Sequence, residues 1–190
     1  MRWDRLFDDL EAQWDAQARR DLDSEIADRT RRERAAVEMF DRVAAHMGQP
    51  LQVRLVTRSV VEGLVADLGK GWMLVDEGGG RSALVSLPAV MSVTGLGSRA
   101  QAAVTARRFG LGYALRGLSR DRAVVQMEDV SGVMLTGTID AVGADACDFG
   151  EHAADEPRRR ENVRAHRTLP FEAIACVRPV AGRGRPSGRP

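Results

Sequence analysis

Apolar residues recur at two different periods along this chain, and the change of period falls at Gly48. Before it, Trp3, Leu6, Phe7, Leu10, Trp14, Ala18, Leu22 and Ile26 stand three and four residues apart, the spacing of one helix face. Oppositely charged pairs four apart accompany them: Asp15 with Arg19, Glu25 with Arg29, Asp28 with Arg32, and Glu38 with Arg42. Each contributes only about 0.2–0.5 kcal/mol, but the spacing favours helix over strand. A second stripe, Ala36, Val37, Phe40, Val43, Ala44 and Met47, ends at Gly48, a candidate C-cap. Thr30-Arg-Arg-Glu33 matches a capping box, so the helix is expected to break near Asp28 to Thr30. Residues 1–47 therefore read as a helical segment.

After Gly48 the period shortens to two. Leu51-Gln-Val-Arg-Leu55 alternates, as does the run that begins at Glu62, and both suit half-buried strands. The pattern then returns. Gly63-Leu-Val-Ala-Asp-Leu-Gly69 and Gly137-Thr-Ile-Asp-Ala-Val-Gly143 are each a glycine, a short alternating strand and a glycine, displaced by 74 residues. Upstream, Val53 and Leu55 are matched to Val125 and Met127, with a hairpin two residues longer in the second copy. Downstream, Trp72-Met-Leu-Val75 corresponds to Ala146-Cys-Asp-Phe149. Ser86-Leu-Pro-Ala-Val90 resembles Thr168-Leu-Pro-Phe-Glu-Ala-Ile174, with eight extra residues before it that hold Glu156-Pro-Arg-Arg-Arg160.

Five short strands given twice predict an α+β chain: an N-terminal helical segment followed by two small Sm-like/SH3-like β-barrels in tandem, joined by a helical linker. The expected divisions are 1–47, a first barrel at 48–96, a linker at 97–122, a second barrel at 123–180 and a Gly/Pro/Arg-rich disordered tail at 181–190. In the linker, Leu111, Tyr113, Ala114, Leu115 and Leu118 point to a short helix interrupted by Gly110, Gly112 and Gly117. A single unit of about 50 residues buries little surface, so two packed together make physical sense.

Residues 51–93 and 123–178 each resemble an Sm-like domain in their order of strands and glycines. The RNA-gripping motifs of such domains, an Asp-x-apolar-Asn group and an Arg-Gly pair, are replaced by Trp72-Met-Leu-Val75 and Ser86-Leu-Pro88. The host-factor Tyr-Lys-His motif is missing as well, so ring assembly and uridine binding do not follow from the resemblance. The whole chain, opening Met1-Arg-Trp-Asp-Arg-Leu-Phe-Asp-Asp-Leu-Glu11, looks like a family of actinobacterial proteins, some of which are labelled Fis-type regulators. That label implies a C-terminal helix-turn-helix, whereas this C-terminus reads as strand followed by a loose tail.

Charge adds little at the level of the whole chain. Formal net charge is +1, so no global field draws the protein to nucleic acid or membrane. Lys70 is the only lysine among 28 basic residues, but arginine is spread throughout, as a G+C-rich genome would also produce. Two cysteines, Cys147 and Cys176, lack metal-knuckle or disulfide-framework spacing. The charged first residues do not make a signal peptide, and no window approaches the ~18 apolar residues of a membrane span. A soluble, cytoplasmic protein is expected.

No catalytic arrangement is legible. His46, His152 and His166 form no metal-spaced cluster; Gly78-Gly-Gly80 lacks the Lys and Ser/Thr of a P-loop; Cys147 falls on an apolar strand position. No cofactor, metal or catalytic residue is predicted, and the chain reads as non-enzymatic. Two basic clusters remain. Arg107, Arg108, Arg116, Arg120 and Arg122 surround Phe109 and Tyr113, and Arg158, Arg159, Arg160, Arg164 and Arg167 populate the inserted loop. Arg107, Arg108, Arg116, Arg158, Arg159, Arg160 and Arg164 are the candidate nucleic-acid contacts, with RNA as the expected ligand. The alternative is an interaction scaffold, in which Trp3, Phe7, Leu10 and Trp14 bind a second copy or another protein.

Overall fold

The computed structural model describes residues 22, 25, 29–32, 35–101, 108–156 and 158–180. The chain divides into two units, Met1–Met39 and Phe40–Pro190. In the first unit Leu22, Glu25, residues 29–32 and Ala35 are helical, and the Ala36 N–H donates to the Arg32 carbonyl at 3.2 Å. Thr30 itself is helical, while Asp28 and Glu33 of the expected break and capping box lie outside the described residues. Among the described residues of this unit, 36–38 are not helical. Trp3, Phe7, Leu10 and Trp14, like the tail at 181–190, lie outside the described residues.

A short helix, Met39–Ala44, buries Val43 and Ala44. Gly48 takes the predicted left-handed conformation (φ 71°), four residues past that helix, and its N–H donates to the Val65 carbonyl at 2.8 Å. Strands follow: β1 Pro50–Leu55, β2 Val60–Gly69, β3 Trp72–Gly78, β4 Arg81–Ser86 and β5 Val90–Thr94. After the helix Leu111–Arg120 come β6 Val124–Asp129, β7 Met134–Val142, β8 Ala146–Glu151, β9 Ala165–Pro170 and β10 Ile174–Pro179.

These strands do not close into two barrels. They form one open, antiparallel, ten-stranded sheet in the order β5-β1-β2-β3-β4-β10-β6-β7-β8-β9, so the described fold is mainly β and the expected tandem-barrel α+β architecture is corrected. The physical reason lies in β4 and β5. Closing a barrel requires the last strands of one half to satisfy each other's backbone groups. Here β5 pairs with β1, and β4 pairs with β10 from the other half, through Val85↔Cys176 and Leu84↔Val177. Alternation along a strand reports which face is buried, not which edge it joins.

The internal duplication is nevertheless present in the pairing register. Val53↔Val61 and Leu64↔Asp76 in the first half return as Met127↔Leu135 and Thr138↔Gly150 in the second, all displaced by 74. The β-bulge between Val65 and Asp67 returns between Ile139 and Ala141. From β4 onward the displacement is 84: Trp72↔Ser86 becomes Ala146↔Pro170, and Val53↔Val93 becomes Met127↔Val177. The first-strand match is therefore Val53 with Met127, not Val125, and the insertion before β9 is ten residues long rather than eight. A slip of two residues leaves every side chain on its own face, so the hydrophobic pattern cannot detect it.

Gly63 and Gly137 explain why a glycine opens each copy. A Cβ on Gly63 would lie 2.0 Å from the Asp76 carbonyl oxygen, and one on Gly137 would lie 2.0 Å from that of Gly150. The neighbouring strand occupies the space a side chain needs.

Burial follows the topology. β1 alternates between exposed and buried, reading Pro-Leu-Gln-Val-Arg-Leu, as a strand with one wet face should. The strands at the junction of the halves are buried on both faces: Ala83, Leu84, Val85 and Ser86 of β4, and Ile174, Ala175, Cys176 and Val177 of β10. Their side chains are shared between two cores. Val85, Ala175 and Cys176 join the core of β1–β3 and the Met39–Ala44 helix, whereas Leu84, Ile174 and Val177 join that of β6–β8 and the Leu111–Arg120 helix. Burial pushes the Cys147 thiol up to about 11 and the Cys176 thiol up to about 12, so both behave as packing residues.

Candidate nucleic-acid interface

The helix Leu111–Arg120 presents two faces. Leu111, Leu115 and Leu118, spaced four and three apart, turn toward the second core, with Leu111 and Leu115 buried. Gly110 stands at its N-cap, and the helix runs through Gly112 and Gly117 without the expected interruption. Gly112 has a packing reason: a Cβ there would come within 3.1 Å of the Phe171 ring. The opposite face carries Tyr113, Arg116 and Arg120, all three exposed.

Phe109 extends this stripe beyond the helix start. Its carbonyl accepts the Lys70 N–H at 2.8 Å and the Trp72 indole Nε1–H at 2.9 Å, which pins the entry to the helix. Its ring meets that of Tyr113 at a centroid distance of 4.6 Å, tilted by 39°. Both rings face solvent, Phe109 at 41% and Tyr113 at 57% exposure. Two adjacent aromatic rings left this open by a folded core are a surface on which a further flat ring can stack. The sequence places Trp72 only on a strand; its indole fixes the aromatic pair, and Gly69 keeps room for it, since a Cβ there would lie 2.2 Å from the ring.

A groove of about 400 Å³ runs beside this face, lined by Trp72, Leu74, Leu84, Tyr113, Arg116 and Arg120 among others. Arg116 is partly engaged, donating through Nη2 to the Gly143 carbonyl at 3.1 Å. Arg108 is exposed beside Phe109, whereas Arg107 lies outside the described residues. A second cleft, about 570 Å³, is lined by Ser119 and Arg122 at the C-terminal end of the helix together with Asp140, Glu156 and Arg158.

The structure separates the members of the loop cluster. Arg158 is ion-paired with Asp140, and His166 Nδ1 stands 3.9 Å from the same carboxylate. Arg167 pairs with Glu151 at 2.8 Å. Arg159, Arg160 and Arg164 are exposed and make no ion pair among the described residues, which leaves their guanidinium groups available to an outside anion. Arg122 lines the second cleft with Arg158, so the linker and loop clusters meet at the end of the helix.

His152, which the sequence places only beside the insertion, is 2% exposed and holds the loop's root. Its Nδ1 lies 2.8 Å from the Ala153 carbonyl, which can only accept, so Nδ1 carries the proton. Nε2 then accepts the Thr138 hydroxyl at 2.6 Å. His46 joins the Met39–Ala44 helix to the segment after β5, its Nδ1 lying 3.2 Å from the Arg42 carbonyl. Its Nε2 accepts the Gly97 N–H at 3.1 Å, and Arg42 donates to the Leu96 and Gly97 carbonyls.

No protein-family model matches the sequence, and no curated protein or solved structure matches it either. Among the described residues no helix is long and apolar enough to cross a membrane.

Proposed function

We propose that the chain is a non-enzymatic, RNA-associated protein that engages single-stranded nucleic acid along the outer face of the Leu111–Arg120 helix. Bases stack on Phe109 and Tyr113, while Arg108, Arg116 and Arg120 meet the phosphates. The strand then continues toward Arg159, Arg160 and Arg164 across the second cleft. The exposed Phe109–Tyr113 pair set beside arginine carries this reading. Stacking of a base on such a ring contributes about 1–3 kcal/mol and tolerates any sequence, because every base has a π face. The near-neutral net charge means that attraction depends on this local stripe, so affinity falls as salt rises.

Fluorescence anisotropy with a mixed single-stranded RNA pool tests the proposal. Tyr113→Ala is expected to weaken binding by about 5- to 150-fold, the range that removal of one stacked base implies. The pair Arg116→Ala with Arg120→Ala is expected to flatten the salt dependence by about 0.7 in log–log slope for each phosphate left without its arginine. The combined Arg158→Ala, Arg159→Ala and Arg160→Ala variant should flatten it as well. Failure of the folded protein to bind any RNA or DNA pool at low salt refutes the assignment.

A further inference from the structure

The groove beside the Leu111–Arg120 helix carries a charge pattern that stacking and phosphate contacts alone do not use. Trp72 and Leu84, each 4% exposed, give it a buried apolar wall, and Tyr113 is shared between the groove and the aromatic pair. Two carboxylates, Asp67 and Asp121, line the same space as Arg116 and Arg120. None of these four is ion-paired among the described residues: Arg116 donates to the Gly143 carbonyl, and Asp67 Oδ1 accepts the Leu68 N–H at 2.8 Å. Opposite charges thus share one cavity of about 400 Å³ without neutralising each other. The complementary occupant offers hydrogen-bond donors to an acid and an anion to the arginines.

A nucleotide does both, and the four bases differ in what they present to a carboxylate. An ionised carboxylate only accepts, through two oxygens side by side. Guanine answers with two adjacent donors, N1–H and the N2 amino group. Adenine and cytosine each set one amino donor beside a ring nitrogen that accepts, and uracil sets one N–H between two carbonyls. An acceptor turned toward a carboxylate is repelled. Asp67 is the acid already oriented for this contact, because the Leu68 N–H fixes one oxygen of a carboxylate that is otherwise exposed.

We propose that the groove selects guanine: one guanine of the bound single strand lies against the Tyr113 ring and donates from N1–H and the N2 amino group to the Asp67 carboxylate, while Arg116 and Arg120 hold the neighbouring phosphates. This rests on the RNA reading and adds a base preference to it. A bidentate contact to a base edge separates the right base from a wrong one by about 5- to 150-fold in affinity.

Anisotropy titrations of the full chain at low salt test it with labelled single-stranded RNAs. One strand is built of adenosine and cytidine alone, and a second carries a single central guanosine. A third has inosine there, which keeps N1–H and lacks the amino group. The guanosine strand is expected to bind about 5- to 150-fold more tightly than the guanine-free strand, with the inosine strand between them. Asp67→Asn changes an exposed position, is checked for a wild-type melt, and is expected to erase the difference, because an amide presents a donor beside its acceptor. Equal binding of the guanosine and guanine-free strands would overturn the proposal and leave the RNA reading standing. So would a preference that survives Asp67→Asn. GMP that competes as well as the guanosine strand would assign the groove to a free nucleotide and overturn it too, whereas failure of every strand to bind overturns both readings.

Discussion

Replacing Gly137 by alanine probes the duplicated sheet at its tightest point. The new Cβ would sit 2.0 Å from the Gly150 carbonyl oxygen and 2.9 Å from its carbon, in strands paired through Gly137↔Glu151 and Thr138↔Gly150. Restoring ordinary contact, near ~3.5 Å, requires the two backbones to separate by roughly 1 Å or more. Forcing such a shift into a packed site typically costs about 1–3 kcal/mol. Stretching one or two ladder hydrogen bonds adds about 0.5–1.5 kcal/mol each. Alanine's stiffer unfolded chain offsets about 0.4–1 kcal/mol. The net expectation is a destabilisation of about 2–4 kcal/mol, or a fall in Tm of roughly 5–15 °C for a unit of this size. Gly117→Ala is the control: a Cβ there meets nothing within 4 Å and lies inside a helix. That change should stabilise by about 0.5–1 kcal/mol. Thermal and urea unfolding followed by circular dichroism measures both. If Gly137→Ala melts with wild type, or if its repeat partner Gly63→Ala behaves differently, the close strand approach is refuted.

Further predictions concern the two thiols and Asp129. The Cys147 and Cys176 thiols, pushed up to about 11 and about 12 by burial, should resist iodoacetamide in the native protein and react in denaturant. A raised folded-state pKa contributes stability that is complete below the unfolded value near 9 and disappears as pH climbs toward 11–12, so denaturant midpoints should fall across that window and fall less steeply in Cys176→Ala. Asp129 behaves oppositely: despite burial, the Ser131 hydroxyl and the N–H groups of Val133, Ser131 and Gly132 hold its carboxyl below the usual range. Its stabilising effect is present above the unfolded value and disappears as pH falls through the folded one. Asp129→Ala should therefore cost about 1–2 kcal/mol at neutral pH and little in strong acid, and a constant difference across pH would contradict it.

Strands and their repetition are readable from the sequence because alternation and paired glycines are local signals. The closure of those strands is not. Ala83-Leu-Val85 and Ile174-Ala-Cys-Val177 are continuous apolar runs, a mark of strands buried on both faces, and that mark distinguishes the junction from the alternating β1. The two-residue misalignments at Val53 and Pro88 arise because such slips preserve facing. The leucines of Leu111–Arg120 announce a helix, but its glycines read as breaks, since the packing of Gly112 against Phe171 joins residues 59 apart in sequence. Of the candidate contacts, Arg116 and Phe109–Tyr113 are identifiable from clustering alone. The pairing of Arg158 with Asp140 and the anchoring of Phe109 by Trp72 require three-dimensional proximity that no spacing encodes.

Photocross-linking to RNA containing 5-bromouridine, followed by mass spectrometry of the adducted peptides, tests the functional account at its centre. The outer face of the Leu111–Arg120 helix is predicted to yield adducts at Phe109 or Tyr113, absent in the double alanine variant. Adducts confined to other peptides, or none from a folded protein at low salt, would contradict it.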